Sequence, residues 1–232
     1  MQQLRDELEQ LARGRGIVAF GVADLDVLRG RVENAFIETP HEFATRGIVC
    51  AIRVMDTVLD SIVDRPTPLY MHHYRQLNFA LDRIALAVAQ RLYETGHRAL
   101  AVPASQVLTR KPMLGAVSHR ELAFQAGLGW RGRNNLLVTP RFGSQVRLVS
   151  ILTDAPLPAD KPLDWTCDTV GCADCVPVCP AGAIKESIDD FDLPACAAKL
   201  DEFVRIPFVG QHICGICVKA CKGPKLPRNA DG

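Results

Sequence analysis

The sequence predicts a mixed α/β fold of the α+β kind, a sheet-and-helix domain followed by a small ferredoxin-like module. Three observations predict it. Segments of helical periodicity alternate with short apolar, β-branched runs through the first part of the chain. Eight of the nine cysteines fall after residue 166. Just before them, Asp154-Ala155-Pro156-Leu157-Pro158 has linker composition, so the expected domains are residues 1–155 and 156–232.

Each element follows from local pattern. Leu4, Leu8 and Leu11 form one stripe of an amphipathic helix over residues 2–13. Residues 16–25 and 47–55 are apolar and β-branched and predict two strands, with Cys50 inside the second as a small buried hydrophobe. Leu77, Leu81, Ile84, Val88 and Leu92 recur at helical spacing, which predicts a long helix over 68–94 stopped by Gly96. Residues 99–102 predict a short strand. Ser118 is the expected N-cap of a further helix, with Glu121 completing a capping box and Gly127 ending it. Gly127, Gly129 and Gly132 mark a tight turn in which the backbone approaches something closely. Residues 136–138 and 146–153 predict strands, joined through Pro140-Arg141-Phe142-Gly143.

Composition excludes several classes. With 48% hydrophobic residues and a net charge of +1, the 232-residue chain reads as globular, without a field that would gather nucleic acid or an anionic membrane. No apolar run is long enough to span a bilayer, and the charged N-terminus has no signal-peptide core. The expected location is the cytoplasm, with no membrane partner. Thiols stay reduced there, so clustered cysteines read as metal ligands. No dinucleotide-binding turn, Walker loop or nucleophile elbow is present.

Cys172-x2-Cys175-x3-Cys179-Pro180 matches the right-hand part of the bacterial ferredoxin run. The run's first cysteine is displaced to Cys167, and Thr169 stands at the expected position. Cys214-x2-Cys217-x3-Cys221 repeats the spacing, and Cys196 lies between the two runs. An iron–sulfur cube needs four thiolates, and in two-cluster ferredoxins the last cysteine of each run crosses to the other cluster. By that rule Cys167, Cys172, Cys175 and Cys221 hold one [4Fe–4S] cluster, and Cys179, Cys196, Cys214 and Cys217 hold the other. The alternative is two zinc sites of four cysteines each. The C-x3-C-P step and the following Ala181-Gly182-Ala183-Ile184 favour iron–sulfur.

From His119 to Cys221 the chain resembles the epoxyqueuosine reductase family. The resemblance is carried by residues 126–138 (AGLGWRGRNNLLV), Gly143-Ser144, Leu152-Thr153-Asp154 and both cysteine runs, in that order. His73-Tyr74-Arg75 matches an earlier family segment more loosely. The resemblance, which extends to the reductive dehalogenases, implies a nitroreductase-like α/β domain beside a two-cluster module, with cobalamin bound base-off and reduced by the clusters. It implies that Gly129, Trp130, Arg131, Gly132, Arg133, Asn134 and Asn135 contact that cofactor. Flavin is the alternative cofactor. Tyr74 and His119 are the candidate proton donors of a two-electron reduction.

Three departures from the family appear. The chain stops soon after Cys221, without the helical repeats associated with tRNA. The position of the family's proton-donating acid, seventeen residues before Trp130, is Met113. Lys222 replaces the usual proline. The expectation is therefore an oxidoreductase acting on a small molecule, with an electron donor such as a ferredoxin or flavodoxin, and with tRNA not expected as a partner. The alternative is an electron-transfer or activator protein that reduces the cofactor of a partner, such as a corrinoid protein.

Overall fold

The computed structural model describes residues 1–28, 42–110 and 113–224. In chain order its elements are α1 (Gln2–Arg13), β1 (Ala19–Asp24), β2 (Arg46–Arg53), α2 (Asp56–Leu59), α3 (Pro68–Glu94), β3 (Ala99–Val102), β4 (Thr109–Arg110) and β5 (Met113–Leu114). There follow α4 (His119–Gln125), β6 (Trp130–Arg131), β7 (Leu137–Val138), β8 (Val146–Thr153), a 3-10 turn (Ile188–Asp190), α5 (Leu193–Phe203) and α6 (Ile216–Ala220). The class is mixed α/β with an antiparallel sheet. Packing gathers the chain into two units. One comprises Met1–Arg53, Gln76–Leu128 and Arg147–Leu163; the other comprises Val54–Arg75, Gly129–Val146 and Asp164–Gly232. These packing units interleave along the sequence.

The first unit holds a four-stranded sheet in the order β1-β2-β8-β3. β1 and β2 pair antiparallel, with Phe20 opposite Cys50, and β3 and β8 pair antiparallel, with Leu100 opposite Leu152. Six consecutive residues of β2 are buried, the mark of an inner strand covered on both faces. α1 buries Leu4, Leu8 and Ala12, and the α3 residues Leu81, Ile84, Val88 and Leu92 are buried at helical spacing. The Ser118 hydroxyl caps α4 by accepting from the Glu121 N–H at 3.3 Å, as the sequence predicts. The first strand starts at Ala19, three residues later than the apolar run, because residues 14–16 form a turn after α1.

The second unit has little regular structure. It contains α2, the first turns of α3, the β6–β7 hairpin and the cysteine-bearing segment. The hairpin is an addition to the sequence reading: Trp130 pairs with Val138 and Arg131 with Leu137. The Lys219 ammonium on α6 donates to the Ile62 carbonyl at 2.7 Å, tying α6 to the segment after α2. Among the described residues no helix is long and apolar enough to cross a membrane.

Candidate metal centre

The second unit sorts its eight cysteines into two groups. One small cavity is lined by Cys167, Cys172, Cys175 and Cys221, together with Trp130, Arg133 and Asn134. Another is lined by Cys179, Cys196, Cys214 and Cys217, with Ile184, Phe191 and Lys199 among its walls. These are the two quartets that the crossed ferredoxin rule yields. Asn134 borders both cavities.

The longer step from Cys167 to Cys172 is absorbed locally. The Cys172 N–H bonds back to the Cys167 carbonyl at 3.0 Å, and Gly171, at φ +62°, supplies the left-handed residue that closes the turn. Cys221 is brought in by a close approach of two chain segments. The Ser144 N–H donates to the Cys221 carbonyl at 3.2 Å. At Gly143 a Cβ would overlap the Cys221 carbonyl and the Gly223 nitrogen, so only glycine fits.

The donor chemistry suits a soft, positively charged group. Burial pushes the Cys175 thiol up to about 12, and its neighbours Cys221 and Cys167 push in the same direction. Burial likewise raises Cys214 to about 11 and puts Cys217 well above the ordinary thiol range. At Cys221 burial is again the largest cause, opposed by hydrogen bonds from the Ser144 hydroxyl, the Ser144 N–H and the Gly223 N–H. Packed together, four thiolates repel one another, and a metal that displaces their protons relieves that repulsion. A single zinc ion, at about 2.3 Å from each sulfur, would draw four thiolates to one point. Each quartet lines a cavity, and four soft sulfur donors suit a zinc ion or an iron–sulfur cluster.

The glycine-rich segment has a different surrounding from the one expected. Trp130, Arg133 and Asn134 are 3%, 7% and 4% exposed. The Arg133 Nε donates to the Cys172 carbonyl at 3.1 Å, and Nη2 pairs with Asp168. Asn134 Nδ2 donates to the Ser144 hydroxyl at 3.0 Å, placing the group that in turn bonds Cys221. At Gly129 a Cβ would strike the Val138 carbonyl, so this glycine admits the chain's own hairpin, not a flat ligand. Arg131 and Asn135 keep partial exposure; Arg131 Nε donates to Asn135 Oδ1 at 3.2 Å. Sequence reasoning passed over Ser144 and Asp168 as supports of the quartet. Gly143-Ser144 carried part of the family resemblance, which was the only signal for Ser144; Asp168 had none.

The two expected proton donors lie in different units. Tyr74 is partly exposed on the first turns of α3, its ring 6.5 Å from that of Tyr70. His119 opens α4 in the first unit. Its Nδ1 lies 2.8 Å from the Ser150 hydroxyl and its Nε2 3.0 Å from the Pro103 carbonyl. A carbonyl only accepts, so Nε2 carries the proton and Nδ1 accepts from Ser150. Burial, chiefly, pushes the His119 pKa down to about 4, with Arg147 adding to the fall and the Pro103 bond opposing it. At neutral pH this is an uncharged, doubly bonded ring. Met113 lies in β5, opposite Arg110. Cys50 is fully buried in β2, and burial raises its thiol to about 12, in keeping with a core role. A larger cavity of about 720 Å³ in the second unit is lined by Asp56, Asp60, Asp64, Val178, Pro180 and Lys219, among others.

No family model matches the chain. An epoxyqueuosine reductase of Bacillus cereus is 39% identical over 88 residues, which cover 38% of this chain and 22% of that protein. Another, of Aliivibrio fischeri, is 25% identical over 217 residues, covering 80% of this chain and 55% of the relative. The chain is related to the epoxyqueuosine reductases. It spans at most about half the length of these curated relatives. Among solved structures, a reductive dehalogenase described in terms of B12-dependent dehalogenation has a TM-score of 0.72 at 19% identity, over 92% of this chain and 31% of that one. An epoxyqueuosine reductase solved with an epoxyqueuosine-modified tRNA-Tyr stem loop has a TM-score of 0.52 at 21% identity, over 78% of this chain and 53% of that one. At these identities the likeness is one of fold. The expectation that tRNA is not a partner is corrected here. It rested on the expected absence of the family's helical repeats and on Met113, whereas curated relatives are named epoxyqueuosine reductase and a structural neighbour of that name was solved with an epoxyqueuosine-modified tRNA stem loop.

Proposed function

We propose that the chain is an iron–sulfur reductase whose two cysteine quartets hold two [4Fe–4S] clusters. In this reading residues 156–232 form a ferredoxin-like module and residues 1–155 a nitroreductase-like domain that serves cobalamin. The observation that carries it is the sorting of cysteines from three separated stretches, 167–179, 196 and 214–221, into two enclosed quartets of four. The relationship to epoxyqueuosine reductases and the fold shared with a B12-dependent dehalogenase support cobalamin over flavin. When bound, the clusters supply one-electron transfer and the corrinoid a strongly reducing cobalt centre.

The chain's own part is to bind, orient and exclude water. Ser144 and Gly143 fix Cys221, and Gly171 folds Cys167 back toward Cys172. Of the glycine-rich segment, Arg131 and Asn135 are the residues with exposed surface for the amides of a corrinoid. Tyr74 is the preferred proton donor, because its hydroxyl is on a partly exposed side chain of the cluster-bearing unit, whereas the His119 ring lies in the other unit and burial keeps it neutral. The substrate is carried over from relatives as a class: epoxyqueuosine in tRNA, or a halogenated hydroxybenzoate such as the one bound by a dehalogenase of this fold.

The test is anaerobic reconstitution followed by titration with cob(II)alamin under electron paramagnetic resonance. Conversion of the cobalt signal to the base-off form on adding protein is expected. A cobalt signal that stays that of free cofactor, with reduced-cluster signals present, would sink the cobalamin reading and favour an electron-transfer or activator protein. A flavin spectrum in the purified protein would do the same in favour of flavin.

A further inference from the structure

We propose that Trp130 and Arg133 are positioning residues that donate hydrogen bonds to the cluster of the Cys167/Cys172/Cys175/Cys221 quartet and hold its reduction potential above that of the other cluster. The inference rests on the cluster reading above and adds an asymmetry between the two sites.

Buried polar groups are almost always partnered, so an unpartnered buried N–H asks for an explanation. Trp130 Nε1 and Arg133 Nη1 are both buried and both without a partner among the described residues. The two side chains line the same cavity, that of the first quartet. Arg133 is held rigidly by its other nitrogens: Nε donates to the Cys172 carbonyl and Nη2 pairs with Asp168. That pairing balances the guanidinium charge, and what remains for the cavity is the directed N–H of Nη1. A donor buried and fixed in a cavity lined by four cysteines suits one class of acceptor, the sulfur of the ligands and of a bound cluster.

The second quartet is built otherwise. Among the described residues, no buried unpartnered donor lies on a side chain that lines its cavity. Its one cation, Lys199, is paired with Glu202 at 2.6 Å. At the ligands themselves the difference recurs. Cys221 receives the Ser144 hydroxyl and the N–H groups of Ser144 and Gly223, whereas Cys214 receives the Ile216 N–H. Adding an electron to a cluster increases negative charge on its sulfurs, and donors aimed at sulfur stabilise that reduced state. Hydrogen bonds to the sulfurs are accordingly among the factors that set cluster potential.

The test is a potentiometric titration of the anaerobically reconstituted full chain, followed by electron paramagnetic resonance, after iron and sulfide have been measured. Trp130→Phe keeps an aromatic ring and removes the N–H; Arg133→Met removes the guanidinium; Arg133→Lys retains charge without the fork. Cys167→Ser identifies the first quartet, because it alters only that signal. Expected is a lower midpoint for the first signal in Trp130→Phe and Arg133→Met, with partial recovery in Arg133→Lys and the second signal unmoved. For Arg133→Met the reduced-to-oxidised ratio at the parent midpoint should change about tenfold, which is about 59 mV for one electron. Two results would overturn the proposal: neither signal moves in iron-replete variants, or both move together. Should Arg133→Met fail to take up iron, Trp130→Phe decides alone. A parent chain that takes up no iron overturns the cluster reading, and this inference with it, before any potential is read.

Discussion

The two units are stabilised by different means. The first is an ordinary apolar core: Leu8, Ile48, Leu81, Ile84, Leu92, Leu122, Ile151 and Leu152 are all fully buried around its sheet. Among the described residues the second contributes only Leu59 and Ile62 to the largest fully buried side chains; its other buried apolar residues, such as Trp130, Ile184, Phe203 and Ile213, lie among turns, glycine-mediated contacts and two cysteine quartets. Apolar burial is non-directional and tolerates small adjustments, whereas a ligand set works only when every donor is in place. The difference predicts that the first unit folds on burial alone and that the second waits for its metal.

Stripping iron should therefore have the largest effect. Amides of residues 164–224 should lose hydrogen-exchange protection, while those of β2 and β8 keep theirs. Equal loss in both units would dissolve the distinction. Gly143→Ala comes next. Its φ is +55° and a Cβ would overlap the Cys221 backbone, so strain and overpacking together should cost about 3 kcal/mol or more. The variant should also hold less iron, measured per folded chain. Leu152→Ala sharpens the other side. Truncating a fully buried leucine of the sheet should cost about 2–5 kcal/mol in chemical denaturation, with iron per folded chain unchanged. A drop in iron on that substitution would mean that the cores are not separate in their support of the metal.

Much of this division was legible in the sequence, for reasons that differ by region. The helical stripe from Leu77 to Leu92 and the capping box at Ser118 are local signals, and α3 and α4 appear where the pattern puts them. The grouping of the cysteines was legible because the C-x2-C and C-x3-C spacings and one crossing rule sort them into the same two sets that line the two cavities. The glycine-rich segment was harder. Three glycines announce a close approach without saying to what, and the structure gives Gly129 its own hairpin strand. Ser144 and Asp168 were illegible because their importance comes from Cys221 and Arg133, which lie far away in the sequence. The interleaving of residues 54–75 and 129–146 with the cysteine segment has no local signature at all.

The smallest effect concerns His119 and the acid limb of stability in the first unit. Its folded pKa, pushed down to about 4 by burial first and by Arg147 in addition, lies below the ordinary value of 6.5. The folded state therefore binds the proton less readily than the unfolded chain does. The contribution of the neutral ring is fully present above pH 6.5 and is lost as the pH falls from there through about 4. Each pKa unit corresponds to about 1.4 kcal/mol, and solvent near this half-buried residue screens the effect, so the loss amounts to about 1–2 kcal/mol. The measurement is the difference in unfolding free energy between the parent and His119→Gln at several pH values, which cancels the carboxylates common to both. The parent's advantage should be greatest at pH 7 and shrink toward pH 4. An advantage that stays constant across that range would mean that burial does not hold the ring neutral, and would return His119 to the list of groups able to carry a proton in the reaction.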